Sequence, residues 1–259
     1  MSEAQATTSQ AERVIRRTFI NRTYTSAGVS IALSGLLAAL VYQLVEKFRL
    51  LLLENLNKLA SLSSEILLIG AGVLVLFILF VMVALATLIL DWIPKLHVPL
   101  GLIFLAWIGF AMIGGLILSP LFYVAGYGLI LKAFLATGAI FTATAFLGSL
   151  LGIDLTQWGG QILSILTGLV LMGVVNLFLR SEWIEMAWMY GGLVLWIVVA
   201  VYAHQLLEKL PLPSAEEIER GGLTRLSLGA SLLFYIMFYA IFLRLIFIAL
   251  SQQKSRRRR

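Results

Sequence analysis

Residues 66–90 read ILLIGAGVLVLFILFVMVALATLIL, a run of 25 positions without a single charged side chain. At 1.5 Å of rise per residue, a helix of that length covers the roughly 30 Å hydrocarbon thickness of a bilayer. A helix on the surface of a soluble domain keeps a polar face, and this run has none. Lipid is the surrounding that suits it.

The same character extends outward in both directions. The chain of 259 residues is 61% hydrophobic and 12% charged. Soluble domains carry roughly 25% charged residues, so the remainder cannot cover a water-facing surface either. Further apolar runs fall at 24–45, 98–118, 127–150, 161–179, 187–207 and 223–250. The sequence therefore predicts an all-α polytopic membrane protein, a bundle of seven helices. Residues 1–23 form a polar N-terminus with a short interfacial helix over 11–22, residues 24–250 the membrane domain, and residues 251–259 a basic tail. The first apolar run has no small-residue cleavage site behind it and reads as an uncleaved span.

Between the spans the signals differ. Over 46–64, Phe48, Leu52, Leu56, Leu59 and Leu62 share one helical face, while Lys47, Glu54 and Lys58 share another. That suits a helix lying in the interface, or an extension of the first span. The linker 91–99 carries two prolines, and 208–222 is a hydrophilic loop. Within the spans, Ser30, Ser34 and Ala38 recur every fourth residue, a spacing that lets helices approach closely in lipid. The fourth span is rich in Ala, Gly and Thr, which predicts that it sits at the centre of the bundle; Gly148 and Gly152 add a weak GxxxG.

Basic residues gather at both ends. Arg13, Arg16 and Arg17, with Arg256 and Arg257 in the tail, are expected at anionic lipid headgroups. Nucleic acid is not an expected partner. Seven crossings put the termini on opposite sides, with eight Lys and Arg outside the membrane on one side and nine on the other. A re-entrant last segment would change this to thirteen against four, but its length favours crossing. The N-terminus is expected on the cytoplasmic side.

Two long stretches then carry a resemblance: LSPLFYVAGYGLILKAFLATGAIF from Leu118, and FLGSLLGIDLTQWGGQILSILTGLVLMGVVNLFLRSEWIEMAWMYGGLVLWIVVAVYAHQLLEKL from Phe146. A Leu-Ser-Pro, a small-residue span, a turn with Asp154 and Trp158-Gly159-Gly160, an Asn176-Leu-Phe-Leu and a Tyr-x-x-Gln follow in order. These features, with the opening RRTFINRTYTSAGVSIALSGL, resemble the bacterial branch of the Bax inhibitor-1 (transmembrane BAX-inhibitor-motif) family over about residues 13–250. The resemblance implies six helices around a central one, a bacterial inner membrane, and a role as a calcium- or proton-sensitive leak or as a regulator of cell death and stress. It also implies two buried aspartates that share a proton and gate a cation path, one in a Tyr-Asp-x-Gln ending the sixth helix and one midway along the seventh.

Neither aspartate is present. The first position is Ala203, within Tyr202-Ala203-His204-Gln205. The second is Ile236 when Gly229-Ala230 sets the register, or Phe234 when Arg244 does. None of the 13 acidic residues falls inside a span. The candidates left for a pore or for proton sensing are His204, Lys132 and Arg244. Snorkelling to the nearby interface is the plainer reading of Lys132 and Arg244, and a backbone-bonded interfacial ring that of His204. Asn176, Gln161, Thr137, Thr142 and Thr144 read as ordinary hydrogen-bonding residues between helices. Trp92, Trp158, Trp183 and Tyr123 read as an aromatic belt.

Catalysis is not expected. Cysteine is absent, the two histidines lie far apart, and there is no HExxH and no phosphate-binding glycine loop. Gly229-Ala230-Ser231 lacks the glycine that would complete a nucleophile turn. No cofactor or metal is implied. The expected function is that of a regulator, scaffold or accessory subunit of a larger membrane complex. The alternative is a pH-sensitive cation leak that uses residues other than aspartate.

Overall fold

A computed structural model of the chain describes residues 3–52, 100–150 and 152–257. Within them lie α1 (Glu3–Leu52), α2 (Leu100–Leu118), α3 (Leu121–Leu150), a 3-10 turn at Leu155–Trp158, α4 (Gly159–Leu179), α5 (Glu182–Lys209), the short α6 (Ala215–Glu219) and α7 (Gly222–Arg257). The expected second span, the linker after it and most of the amphipathic stretch lie outside the described residues. The other six spans each coincide with one long helix. Five of these, all but α2, are long and apolar enough to cross a membrane.

One sequence expectation about α1 changes. No proline or glycine interrupts residues 3–27, and one helix runs unbroken from Glu3 to Leu52. The interfacial segment 11–22 is therefore its first part rather than a separate helix. Its apolar side is already packed, with Phe19, Thr23, Ala27, Ser30, Ser34 and Ala38 all buried at helical spacing. The extension beyond 45 is helical as far as Leu52.

α3 contains a kink at Gly126, whose φ of 72° and ψ of 157° favour glycine. The straight part begins at Tyr127, where the sequence places the start of the fourth span. Gly152 lies beyond the end of α3 with φ 59°, so Gly148 and Gly152 do not form a helical pair.

The centre of the bundle is α7, not α3. In the most apolar stretch of α7, 72% of residues are buried, against 17% in α3. Helix α7 touches α1, α2, α3 and α5. The physical reason is that lipid does not penalise an exposed Leu or Phe, so bulk does not mark the outside. The large side chains Phe234, Tyr235, Met237, Phe238, Tyr239 and Phe242 fill the middle. The small residues of α3 serve one face only, where Ala133, Thr137 and Thr144 are buried while Leu131, Leu135 and Phe146 point outward.

Contacts between helices fix the directions. Arg22 meets Thr224 and Ile31 meets Tyr239, so α1 and α7 are parallel. Gly192 meets Arg244 and His204 meets Phe234, so α5 is antiparallel to both. The end of α1 with Arg16 therefore lies with the C-terminus of α5 and the start of α7.

Candidate functional site

Four consecutive residues near the end of α5 reach four different places. The Tyr202 hydroxyl sits against Gly159, where an added Cβ would come within 2.9 Å of it. Ala203 is buried in the core at 2% exposure. His204 turns into the bundle. Gln205 clamps the α3–α4 connection: its Oε1 accepts from Leu155 N at 2.8 Å, and its Nε2 donates to the Ile153 carbonyl at 2.8 Å.

The same connection is held a second time by charge. Asp154 caps the 3-10 turn by accepting from Thr156 N at 3.1 Å. Its other oxygen lies 2.6 Å from Lys209 Nζ. The Lys209 ammonium first, and the Thr156 donors second, hold the Asp154 carboxyl well below the usual carboxylate range.

His204 is buried, with Tyr24 Oη 2.5 Å from Nδ1 and Thr144 Oγ1 3.3 Å from Nε2. Thr144 donates its own hydrogen to the Phe141 carbonyl at 2.7 Å. The threonine oxygen is then left to accept, which places the ring hydrogen on Nε2 and makes Nδ1 the acceptor of the Tyr24 hydroxyl. One neutral tautomer thus joins α1, α5 and α3 with every partner satisfied. The rings of Tyr24, Phe141 and Phe234 surround the imidazole, with centroids 5.0 to 5.6 Å away. This is a core histidine with side-chain partners, not an interfacial one bonded only to backbone.

The two possible equivalents of the second aspartate separate here. Phe234 packs on His204, while Ile236, two residues further along α7, is fully buried in the apolar core. Where the resemblance implies a carboxyl pair, the described residues hold an aromatic cluster and an alanine. They contain no group of three or more His, Asp or Glu able to hold a metal ion.

Arg244 does not snorkel. It is 2% exposed, and its Nε and Nη1 have no hydrogen-bond partner among the described residues. Its guanidinium carbon lies over the Trp188 ring at 5.1 Å and the Trp196 ring at 5.9 Å. A charge at membrane depth costs about 3 kcal/mol or more, and a cation–π contact returns about 0.5–2 kcal/mol. Gly192 makes the room, since a Cβ there would stand 2.3 Å from Nε. Trp188, Gly192 and Trp196 are four residues apart and share one face of α5, a signal present in the sequence that composition alone does not reveal. Of the partners of His204, Thr144 is among the hydrogen-bonding residues expected between helices, whereas Tyr24 carries no signal in the sequence.

The three candidates do not converge. Gly192, which abuts Arg244, lies twelve positions before His204 on α5, about 18 Å along the axis. Lys132 is exposed on α3 and joins neither cluster. Asn176 caps α4 by accepting from Ser181 N at 2.9 Å. Of the candidate headgroup residues, Arg13 and Arg17 are exposed. Arg16 instead donates from Nη1 to the carbonyls of Glu208 and Leu210, the latter at 3.2 Å, and so caps the C-terminal end of α5. Arg256 and Arg257 end α7. Trp158 and Trp183 are 56% and 79% exposed at helix starts.

Comparison with known proteins gives a consistent pattern. The family described as "Inhibitor of apoptosis-promoting Bax1" matches residues 16–255. Inner membrane protein YbhL of Escherichia coli (strain K12) is 29% identical over 140 residues, covering 53% of this chain and 58% of that protein. An uncharacterized protein of Deinococcus radiodurans is 29% identical over 142 residues, covering 54% and 59%. One of Borreliella burgdorferi is 26% identical over 137 residues, covering 53% and 58%. The chain thus matches under two thirds of the length of these relatives.

Proposed function

The chain belongs to the Bax inhibitor-1 family, and we propose on that premise that it works without catalysis, as a regulator, scaffold or accessory subunit of a larger membrane complex. It is an integral membrane protein. The reading rests on one observation. The positions where the family's ion pathway is implied to hold aspartates are Ala203 and either Ile236 or Phe234, all apolar and at most 2% exposed. A carboxyl pair shares a proton and changes charge near neutral pH; an alanine and an isoleucine or phenylalanine do neither. In this reading the membrane is the bacterial inner membrane, the N-terminus is cytoplasmic, and Arg13 and Arg17 meet anionic lipid.

The test is reconstitution into liposomes loaded with a calcium or proton dye. Leakage equal to that of protein-free liposomes from pH 5 to 8 is expected. A pH-dependent flux that vanishes in His204→Ala would overturn the proposal. It would favour the second reading, a cation or proton leak, which has its own support in the hydrogen-bonded series Tyr24, His204, Thr144 across three helices. Isolation in mild detergent separates the roles further. A stoichiometric partner is expected for an accessory subunit, and a strictly lone monomer counts against one.

A further inference from the structure

We propose that Arg244 is the receptor for a small inorganic anion bound inside the membrane domain between α5 and α7. The guanidinium is 2% exposed, and among the described residues its Nε and Nη1 donors have no partner. The indole rings of Trp188 and Trp196, at 5.1 and 5.9 Å, stabilise its charge through their faces but offer it no acceptor atom. Buried donors of this strength are satisfied in folded proteins by an acceptor, and for a cation in lipid the fitting acceptor is an anion. Among the described residues the chain supplies none. No Asp or Glu occurs inside any span, residues 66–90 included. The nearest acids along α5, Glu182 and Glu185, are exposed at its start, and Glu185 precedes Gly192 by seven residues, about 10 Å of helix.

Burial decides the size of the ligand. A side chain so enclosed is not reached by a partner helix, nor by a phospholipid headgroup that must bring its glycerol with it. A halide-sized ion needs only one acceptor position. Gly192 is part of the site because a Cβ would stand 2.3 Å from Nε and 2.7 Å from Nη2, in the space the guanidinium occupies.

Bromide is the probe, and the two indoles are its reporters. Purified protein is exchanged into detergent with gluconate as the sole anion and titrated with bromide at constant ionic strength. A saturable component of tryptophan quenching is expected, together with a rise of several degrees in Tm. Arg244→Met should abolish both. Gly192→Ala, which keeps the charge but displaces it, should weaken the saturable component at least tenfold. Should Arg244→Met fail to fold, wild-type crystals grown in bromide decide, with an anomalous peak expected within hydrogen-bond distance of Nε or Nη1. Strictly linear quenching with no change in Tm would overturn the proposal. So would a phospholipid retained by the wild type in native mass spectrometry and lost in Gly192→Ala.

Discussion

Tyr24, His204 and Thr144 belong to three helices, and the hydrogen on Tyr24 Oη is what satisfies His204 Nδ1. Tyr24→Phe strands that lone pair in a site that is 5% exposed. An unmet buried acceptor costs about 1–3 kcal/mol in water-soluble proteins, and hydrogen bonds between membrane helices average nearer 0.6 kcal/mol. A loss of about 1 kcal/mol is expected in reversible unfolding by a denaturing detergent. A double-mutant cycle with His204→Phe should show clear non-additivity, whereas two additive losses would mean the pair does not interact. Asp154 makes a prediction about pH. Its folded carboxyl is held below the ordinary carboxylate range, so its contribution to stability is fully present above that range and is lost as pH falls through the folded value. Asp154→Asn should lower Tm at neutral pH, and the gap between the two melting temperatures should narrow as pH falls below the ordinary carboxylate range and close only near the folded value. A constant gap across that range would show that Asp154 acts through its shape and not its charge. The resemblance marks Asp154 and Gln205 in the sequence, but their joint hold on one turn is visible only once α5 lies beside it.

Among the described elements, α2 makes a close approach to α1 and α7. A Cβ on Gly114 would stand 1.8 Å from Tyr235 Oη, and one on Gly115 would stand 2.7 Å from the Ser34 carbonyl oxygen. Ser34 is the hub there, with its Oγ 2.6 Å from the Ala111 carbonyl and 2.8 Å from Tyr235 Oη. Trp107 adds a bond from Nε1 to Ser231 Oγ at 3.0 Å. The methyl of Gly114→Ala meets a packed hydroxyl, so a loss of about 1–3 kcal/mol is expected, the range for overpacking. Gly109→Ala is the control on the same helix, with nothing within 4 Å of its added Cβ, and helix propensity makes it neutral or slightly stabilising. Equal effects of the two in a thermal melt would deny the close approach. The α1 side of this junction was legible, because Ser30, Ser34 and Ala38 mark a face by their spacing. The misplaced centre at α3 shows the limit of that signal. Counting small residues without assigning them to a face cannot tell a helix that is narrow on one side from a helix enclosed on all sides.

For the whole molecule, the order of six spans and their ends was legible because charge is excluded from lipid, and that rule acts residue by residue. The burial of Arg244 was not, because a basic residue six positions from the end of a span looks the same whether it bends to the surface or faces two indoles. The side of the C-terminus was also left open, and the fold now bears on it. Helix α7 has 36 residues in one unbroken element, about 54 Å long, well over the thickness of the hydrocarbon core. A re-entrant segment must turn back at membrane depth, and α7 has no break at which to turn. Its start contacts α1 through Arg22 and Thr224, and near its other end Gln252 donates to Tyr190 Oη at 3.4 Å, close to the start of α5. The direction and continuity of α7 therefore give no reason to fold the last helix back. Because the chain contains no cysteine, single-cysteine variants test this without background. With an impermeant maleimide on sealed vesicles, Ala11→Cys and Glu219→Cys should label from one face, and Arg180→Cys and Gln253→Cys from the other. Labelling of Gln253→Cys on the face that labels Ala11→Cys would put both ends of the chain on one side and require α7 to break, which would remove the central helix on which the rest of the packing depends.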